Sequence, residues 1–121
     1  MQQHDWRGVF PAITTPFRDD LTVDHDFLAR HVSWLVDHGA RGIVALGSLG
    51  EGATLTPDEK AAVLATCRAA TRDRVPMIAG IGALSTAEAV ALARTAERVG
   101  CDGLMVLPPY VYRGDGRETL A

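Results

Sequence analysis

Lysine is nearly missing from this sequence. Lys60 is the only one among 12 basic side chains. Any chemistry that needs a side-chain amine therefore has one candidate in the chain. Lys60 falls just behind a helix-capping sequence, and it reads as a solvated surface charge on an outward helix face. Cysteine is equally scarce. Cys67 and Cys101 are the only two and have no C-x-x-C spacing, so they read as small buried residues in a reducing compartment. No basic cluster stands out against a formal net charge of −3, which argues against a nucleic-acid partner. No apolar run approaches the ~20 residues of a membrane span. The stretch Met1 to Arg7 is polar and lacks the apolar core of a signal peptide. His4, His25, His31 and His38 do not form a metal set, since His31 and His38 lie too far apart on one helix to share an ion. The expectation is a cytoplasmic protein with neither metal nor cofactor.

What is present is ordinary for a globular domain: 47% hydrophobic and 22% charged residues in a chain of 121, enough for one domain over residues 1–121. Strand and helix signals alternate. A first strand is expected over Gly8 to Ile13, closed by Thr14-Thr15-Pro16. The first helix runs from about Asp24 to His38, with Phe27, Leu28, His31, Val32, Leu35 and Val36 at helical spacing and Gly39 as its stop. A second strand covers Gly42 to Leu46. The second helix opens on Thr56-Pro57-Asp58-Glu59, a capping box with proline at the first helical position, and continues to about Thr71. A third strand spans Val75 to Ala79. Ser85-Thr86-Ala87-Glu88 is a second capping box, for a helix ending at Gly100. A fourth strand covers Gly103 to Leu107, and a fourth helix would start near Asp115.

Gly39 to Leu46 matches Gly100 to Leu107 in pattern, and both read as helix stop, short loop and buried strand. Strands apolar throughout imply burial on both faces, as in a parallel sheet covered by helices. Repeated right-handed β-α-β units build either a doubly wound sheet or a closed barrel. The first strand–turn lacks the G-x-G-x-x-G fingerprint, which disfavours a nucleotide-binding domain. Four strand–helix units are half of an eight-stranded barrel. Such a half leaves two open strand edges and an uncovered inner face, inviting association with another chain.

The segment most suggestive of chemistry follows the second strand: Gly47-Ser48-Leu49-Gly50-Glu51. Two glycines three apart let the backbone turn sharply and bring amide N–H groups close to a ligand. At the C-terminal end of a strand, that is a cradle for a carboxylate or phosphate. Ser48 adds a small hydroxyl. Glu51 reads as a cap or ion-pair partner near the turn rather than a catalytic base.

Several motifs, in order, resemble the dihydrodipicolinate synthase and N-acetylneuraminate lyase family. They are Gly8 to Phe17, Asp24, the Gly47 to Glu51 turn with Thr54-Leu55-Thr56, Val75 to Gly82 with Ser85-Thr86, and Pro109-Tyr110. The resemblance covers about Trp6 to Arg113. It implies a (β/α)8 TIM barrel of which this chain supplies the first four strand–helix units. It also implies a lyase that binds pyruvate or another 2-oxo acid as a Schiff base on a lysine, for aldol condensation or cleavage with an aldehyde, or for dehydration. A homo-oligomer would be the working form. Gly47, Ser48, Leu49 and Gly50 would bind the carboxylate through backbone amides. Ser48 and Tyr110 would be catalytic, as a relay hydroxyl and a group near the mouth of the site.

The sequence departs from the family pattern in three places. The Schiff-base lysine of the family lies beyond the region this chain matches. Leu49 stands where the family has threonine. Val111 replaces a second tyrosine, with Tyr112 beside it. Arg113 and Arg117 read as surface arginines. A different class of function is a non-catalytic product that binds small acids or self-associates through open sheet edges.

Overall fold

The helices begin where side chains are placed to satisfy their first amide groups. The computed structural model describes residues 6–108 and 117. Helix α1, His25–Asp37, starts at Asp24, whose carboxylate accepts the Phe27 amide at 3.0 Å. It ends at His38, followed by Gly39 at φ +102°. Helix α2, Pro57–Thr71, has the complete capping box: the Glu59 amide donates to the Thr56 hydroxyl and the Thr56 amide to Glu59 Oε1. Helix α3, Thr86–Val99, has only half of its expected box. The Ser85 hydroxyl accepts from the Glu88 amide, but the exposed Glu88 carboxylate does not reach back. Gly100 closes it in the left-handed conformation, which glycine adopts without steric cost.

Three parallel strands form one sheet in the order β1 (Ile43–Ala45), β2 (Met77–Ile81) and β3 (Gly103–Val106). The expected first strand is not a strand. The segment runs beside β1 but makes a single parallel bridge, Ala12 to Val44. The Ile13 amide donates to Val44 O and the Val44 amide to Pro11 O. Pro11 has no N–H to continue the ladder. The expected third strand is displaced toward the C-terminus for a related reason. Pro76 cannot donate, so regular pairing starts at Met77, while the Pro76 carbonyl still accepts from Ile43. Asp102 fixes the register of β3: its amide donates to Met77 O at 2.8 Å and its carboxylate accepts the Met77 amide at 2.9 Å.

The core lies between the sheet and the helices. Ile43, Ala45, Met77, Ala79 and Ile81 share it with Leu28 and Val32 of α1, Val63, Leu64 and Cys67 of α2, and Leu92 and Ala96 of α3. Side chains alternate across a strand, so Leu104 and Val106, the register partners of Ala79 and Ile81, face the same side. No described helix covers them, and they are 47% and 67% exposed.

The opposite face was expected to stand uncovered. Instead Val44 and Ile78 on that face are buried. A Cβ on Gly42 would collide with the Phe10 ring, and one on Gly103 with Trp6 and Ile78. Trp6 and Phe10, stacked with centroids 6.0 Å apart, therefore lie across the N-terminal ends of β1 and β3. Glycine at 42 and 103 is what lets the rings approach so closely.

Among the described residues no helix is long and apolar enough to cross a membrane. Of the expected fourth helix only Arg117 is described, and it is helical. His4, Tyr110, Val111, Tyr112 and Arg113 lie outside the described residues.

Both cysteines are unpaired thiols. Burial pushes Cys67 up to about 12 and Cys101 up to about 11, from 9.0. Because the folded values are raised, the neutral thiols stabilise the fold fully below pH 9. That contribution is lost as pH rises through 11 to 12. Urea midpoints are therefore expected to fall between pH 9 and pH 11. At pH 8, Ellman's reagent should titrate Cys67 only after denaturation.

Candidate functional site

The site begins with a sharp change of direction. β1 ends at Ala45, and Leu46 turns into the left-handed region at φ +64°. For a leucine this conformation costs roughly 1–2 kcal/mol. It survives because Gly52 and Gly80 lie against the Leu46 carbonyl with no side chain between. A Cβ on Gly80 would sit 2.5 Å from that oxygen, and one on Gly52 would also clash with it. Leu46 itself is buried.

The chain then folds back on itself. The Gly50 amide donates to Gly47 O at 3.1 Å, the Glu51 amide to Ser48 O at 3.1 Å and the Gly52 amide to Gly47 O at 3.3 Å. A short 3₁₀ turn, Gly52–Thr54, leads to the cap of α2. The Thr15 hydroxyl, buried, donates to the Gly50 carbonyl at 2.6 Å and ties the turn to the segment after Ile13.

These bonds consume the amides of Gly50, Glu51 and Gly52. The amides of Ser48 and Leu49 donate to no acceptor among the described residues. Two successive N–H groups without an acceptor at the end of a parallel strand are free to donate to a ligand. Ser48 and Leu49 are exposed at the turn's apex, while Gly47 and Gly50 are buried beneath it. Of the expected site residues, the fold brings Gly47, Ser48, Leu49 and Gly50 together, and Tyr110 lies outside the described residues.

A cavity of about 620 Å³ opens beside the turn, between the start of α2 and α3. Ser48, Glu51, Lys60, Leu84, Glu88 and Leu107 are among its walls. Two expectations change here. Lys60 is half-buried and lines this cavity instead of standing in solvent. Among the described residues the Glu51 side chain neither caps nor pairs. The residue takes the left-handed conformation at φ +54° with no side-chain cap bond, and it is its backbone oxygen that accepts the Thr54 hydroxyl.

The family model for the dihydrodipicolinate synthetase family matches residues 5–120. The chain belongs to this family. A 4-hydroxy-tetrahydrodipicolinate synthase from Chelativorans sp. (strain BNC1) is 42% identical over 112 residues, which is 93% of this chain and 38% of the relative. The N-acetylneuraminate lyase from Mycoplasma synoviae superposes with a TM-score of 0.91 at 32% identity, over 98% of this chain and 41% of its own. A prophage protein of the dihydrodipicolinic acid synthase family from E. coli K12, solved in complex with pyruvate, gives 0.90 at 28% identity, over 95% and 39%. The chain thus spans about two fifths of the length of the relatives it matches.

Sequence reading missed three supports of the family turn: the left-handed Leu46, the close approach of Gly52 and Gly80, and the Thr15 tie. One signal was available. Gly80 interrupts an otherwise apolar strand, and glycine inside a strand marks close backbone approach. Gly80→Ala is expected to lower stability by about 3 kcal/mol in urea denaturation. Gly82→Ala, whose added carbon would meet only Leu107 at 3.9 Å, should change it by less than about 0.5 kcal/mol.

Proposed function

We propose that this chain, residues 1–121, is one partial domain, the first four strand–helix units of a (β/α)8 barrel. The whole protein is then a lyase that forms a Schiff base with pyruvate or another 2-oxo acid and joins it to, or cleaves it from, an aldehyde. The observation carrying this reading is the unpaired Ser48–Leu49 amide pair at the C-terminal end of β1, in a chain that belongs to this family. The C-terminal ends of the strands are where a barrel of this kind gathers its chemistry.

The amide pair holds the carboxylate of the 2-oxo acid, with Gly47 and Gly50 letting the backbone close around it. A fixed carboxylate directs the ketone at C2 toward an amine and turns a bimolecular encounter into a positioned one. The Ser48 hydroxyl and Tyr110 pass the protons that carbinolamine formation and water loss require. The amine comes from the part of the protein beyond the matched region, not from Lys60. Lys60 rides on α2, which packs on the helix side of the sheet. The exposed Leu104 and Val106 support the same reading. They form an apolar face that a following helix would cover, and the outer edge of β3 would take a further parallel strand. The working form is a cytoplasmic homo-oligomer.

Borohydride reduction in the presence of pyruvate, followed by intact mass measurement, tests this. The full-length protein is expected to gain one pyruvate-derived adduct. The Lys60→Met variant should gain it equally, and the 121-residue chain alone should gain none. An adduct on Lys60, or none on the full-length protein, would overturn the proposal.

A further inference from the structure

We infer that Thr15 is a positioning residue for the bound 2-oxo acid: its hydroxyl aims the Leu49 amide at the carboxylate. The inference rests on the reading of the Ser48–Leu49 amides as the carboxylate's donors. Thr15 acts through the turn and does not touch the acid. Its hydroxyl is buried and donates to the Gly50 carbonyl at 2.6 Å. The route from there to the Leu49 amide runs through two peptide planes.

A trans peptide unit is planar, so its C=O and N–H point opposite ways. Among the described residues every peptide bond is trans. The Gly50 carbonyl shares its plane with the Glu51 N–H. Fixing that carbonyl on Thr15 therefore fixes the direction of the Glu51 N–H, which donates to the Ser48 carbonyl at 3.1 Å. The Ser48 carbonyl in turn shares its plane with the Leu49 N–H. Bonded to Glu51, it turns the Leu49 N–H the opposite way, away from the turn's own bonds. The Ser48 N–H is set by the same rule from the Gly47 carbonyl, which accepts from the Gly50 and Gly52 amides.

Thr15 is itself held rigid. Its side chain is β-branched, which restricts χ1, and Pro16 after it confines its backbone to extended geometry. On one side the Ile13 amide donates to Val44 O, and on the other the Asp24 amide donates to Pro16 O. The turn sits close on this segment, since a Cβ on Gly50 would stand 3.1 Å from the Ile13 carbonyl oxygen. Without the hydroxyl, the carbonyl of the buried Gly50 loses its donor, and its peptide plane turns toward whatever donor it can reach.

Borohydride trapping of the full-length protein at graded concentrations of pyruvate and of methyl pyruvate tests this. Both present the same ketone, and only pyruvate has the carboxylate. Thr15→Val keeps the shape and removes the donor. It is expected to raise the pyruvate concentration for half-maximal adduct about tenfold, the worth of one aligned hydrogen bond to a charged group, and to leave that for methyl pyruvate unchanged. Thr15→Ser, which keeps the hydroxyl, should match the wild type for both. Thr15→Cys donates only weakly and should follow the valine pattern, so it carries the test if the valine variant does not fold. A half-maximal pyruvate concentration unmoved in these two variants, or equal shifts for the two ketones, would overturn the inference and leave the Schiff-base reading standing. No pyruvate adduct on the wild-type full-length protein would overturn that reading, and this inference with it.

Discussion

The contact between the Leu46 carbonyl and two glycines is what the rest of the site depends on. A leucine in the left-handed region is strained, and here the surroundings hold it there. Gly80 on the neighbouring strand and Gly52 in the following turn leave room for that carbonyl alone. With Leu46 turned, the chain folds back, and its 47-to-52 hydrogen bonds consume three amides in succession. The two amides at the apex are left over. The donor pair is therefore a product of backbone geometry, and no charged side chain is needed to create it. In the proposed role as an anion cradle the turn needs no fixed cation, because backbone N–H dipoles held by the fold are oriented before a ligand arrives.

The sheet that carries the turn is finished on one side and unfinished on the other. Trp6 and Phe10 seal the N-terminal ends of the strands on the face away from the helices, over Gly42 and Gly103. The helix side is dry beneath α2 and α3 but open over Leu104 and Val106. In the proposed barrel these apolar groups are where the next unit would pack, and the relatives are more than twice as long as this chain.

Much of this was legible in the residues. The caps at Asp24, Thr56 and Ser85 placed every described α-helix to within about a residue, because a capping oxygen must sit next to the amides it satisfies. Apolar runs between them marked a parallel sheet. What could not be read depends on partners distant in sequence. Pro11 reduced an expected strand to one bridge, and Pro76 displaced another. Lys60 looked solvent-facing by helix position, but it is half-buried in the wall of a cavity that the loop after β2 also borders. Trp6 gave no periodic signal at all, and only the close approach of its ring to Gly103 shows where it lies. The Gly47 to Glu51 stretch was recognisable as a sharp turn at the end of a strand. Which amides stay unpaired was not, since that follows from the left-handed Leu46.

The most direct measurement of the central claim is a crystal structure of the full-length protein after borohydride trapping with pyruvate. The account predicts carboxylate oxygens about 2.9 Å from the Ser48 and Leu49 nitrogens, with Leu46 still in the left-handed conformation. A carboxylate held by other groups, with the Ser48 and Leu49 amides facing solvent, would contradict it.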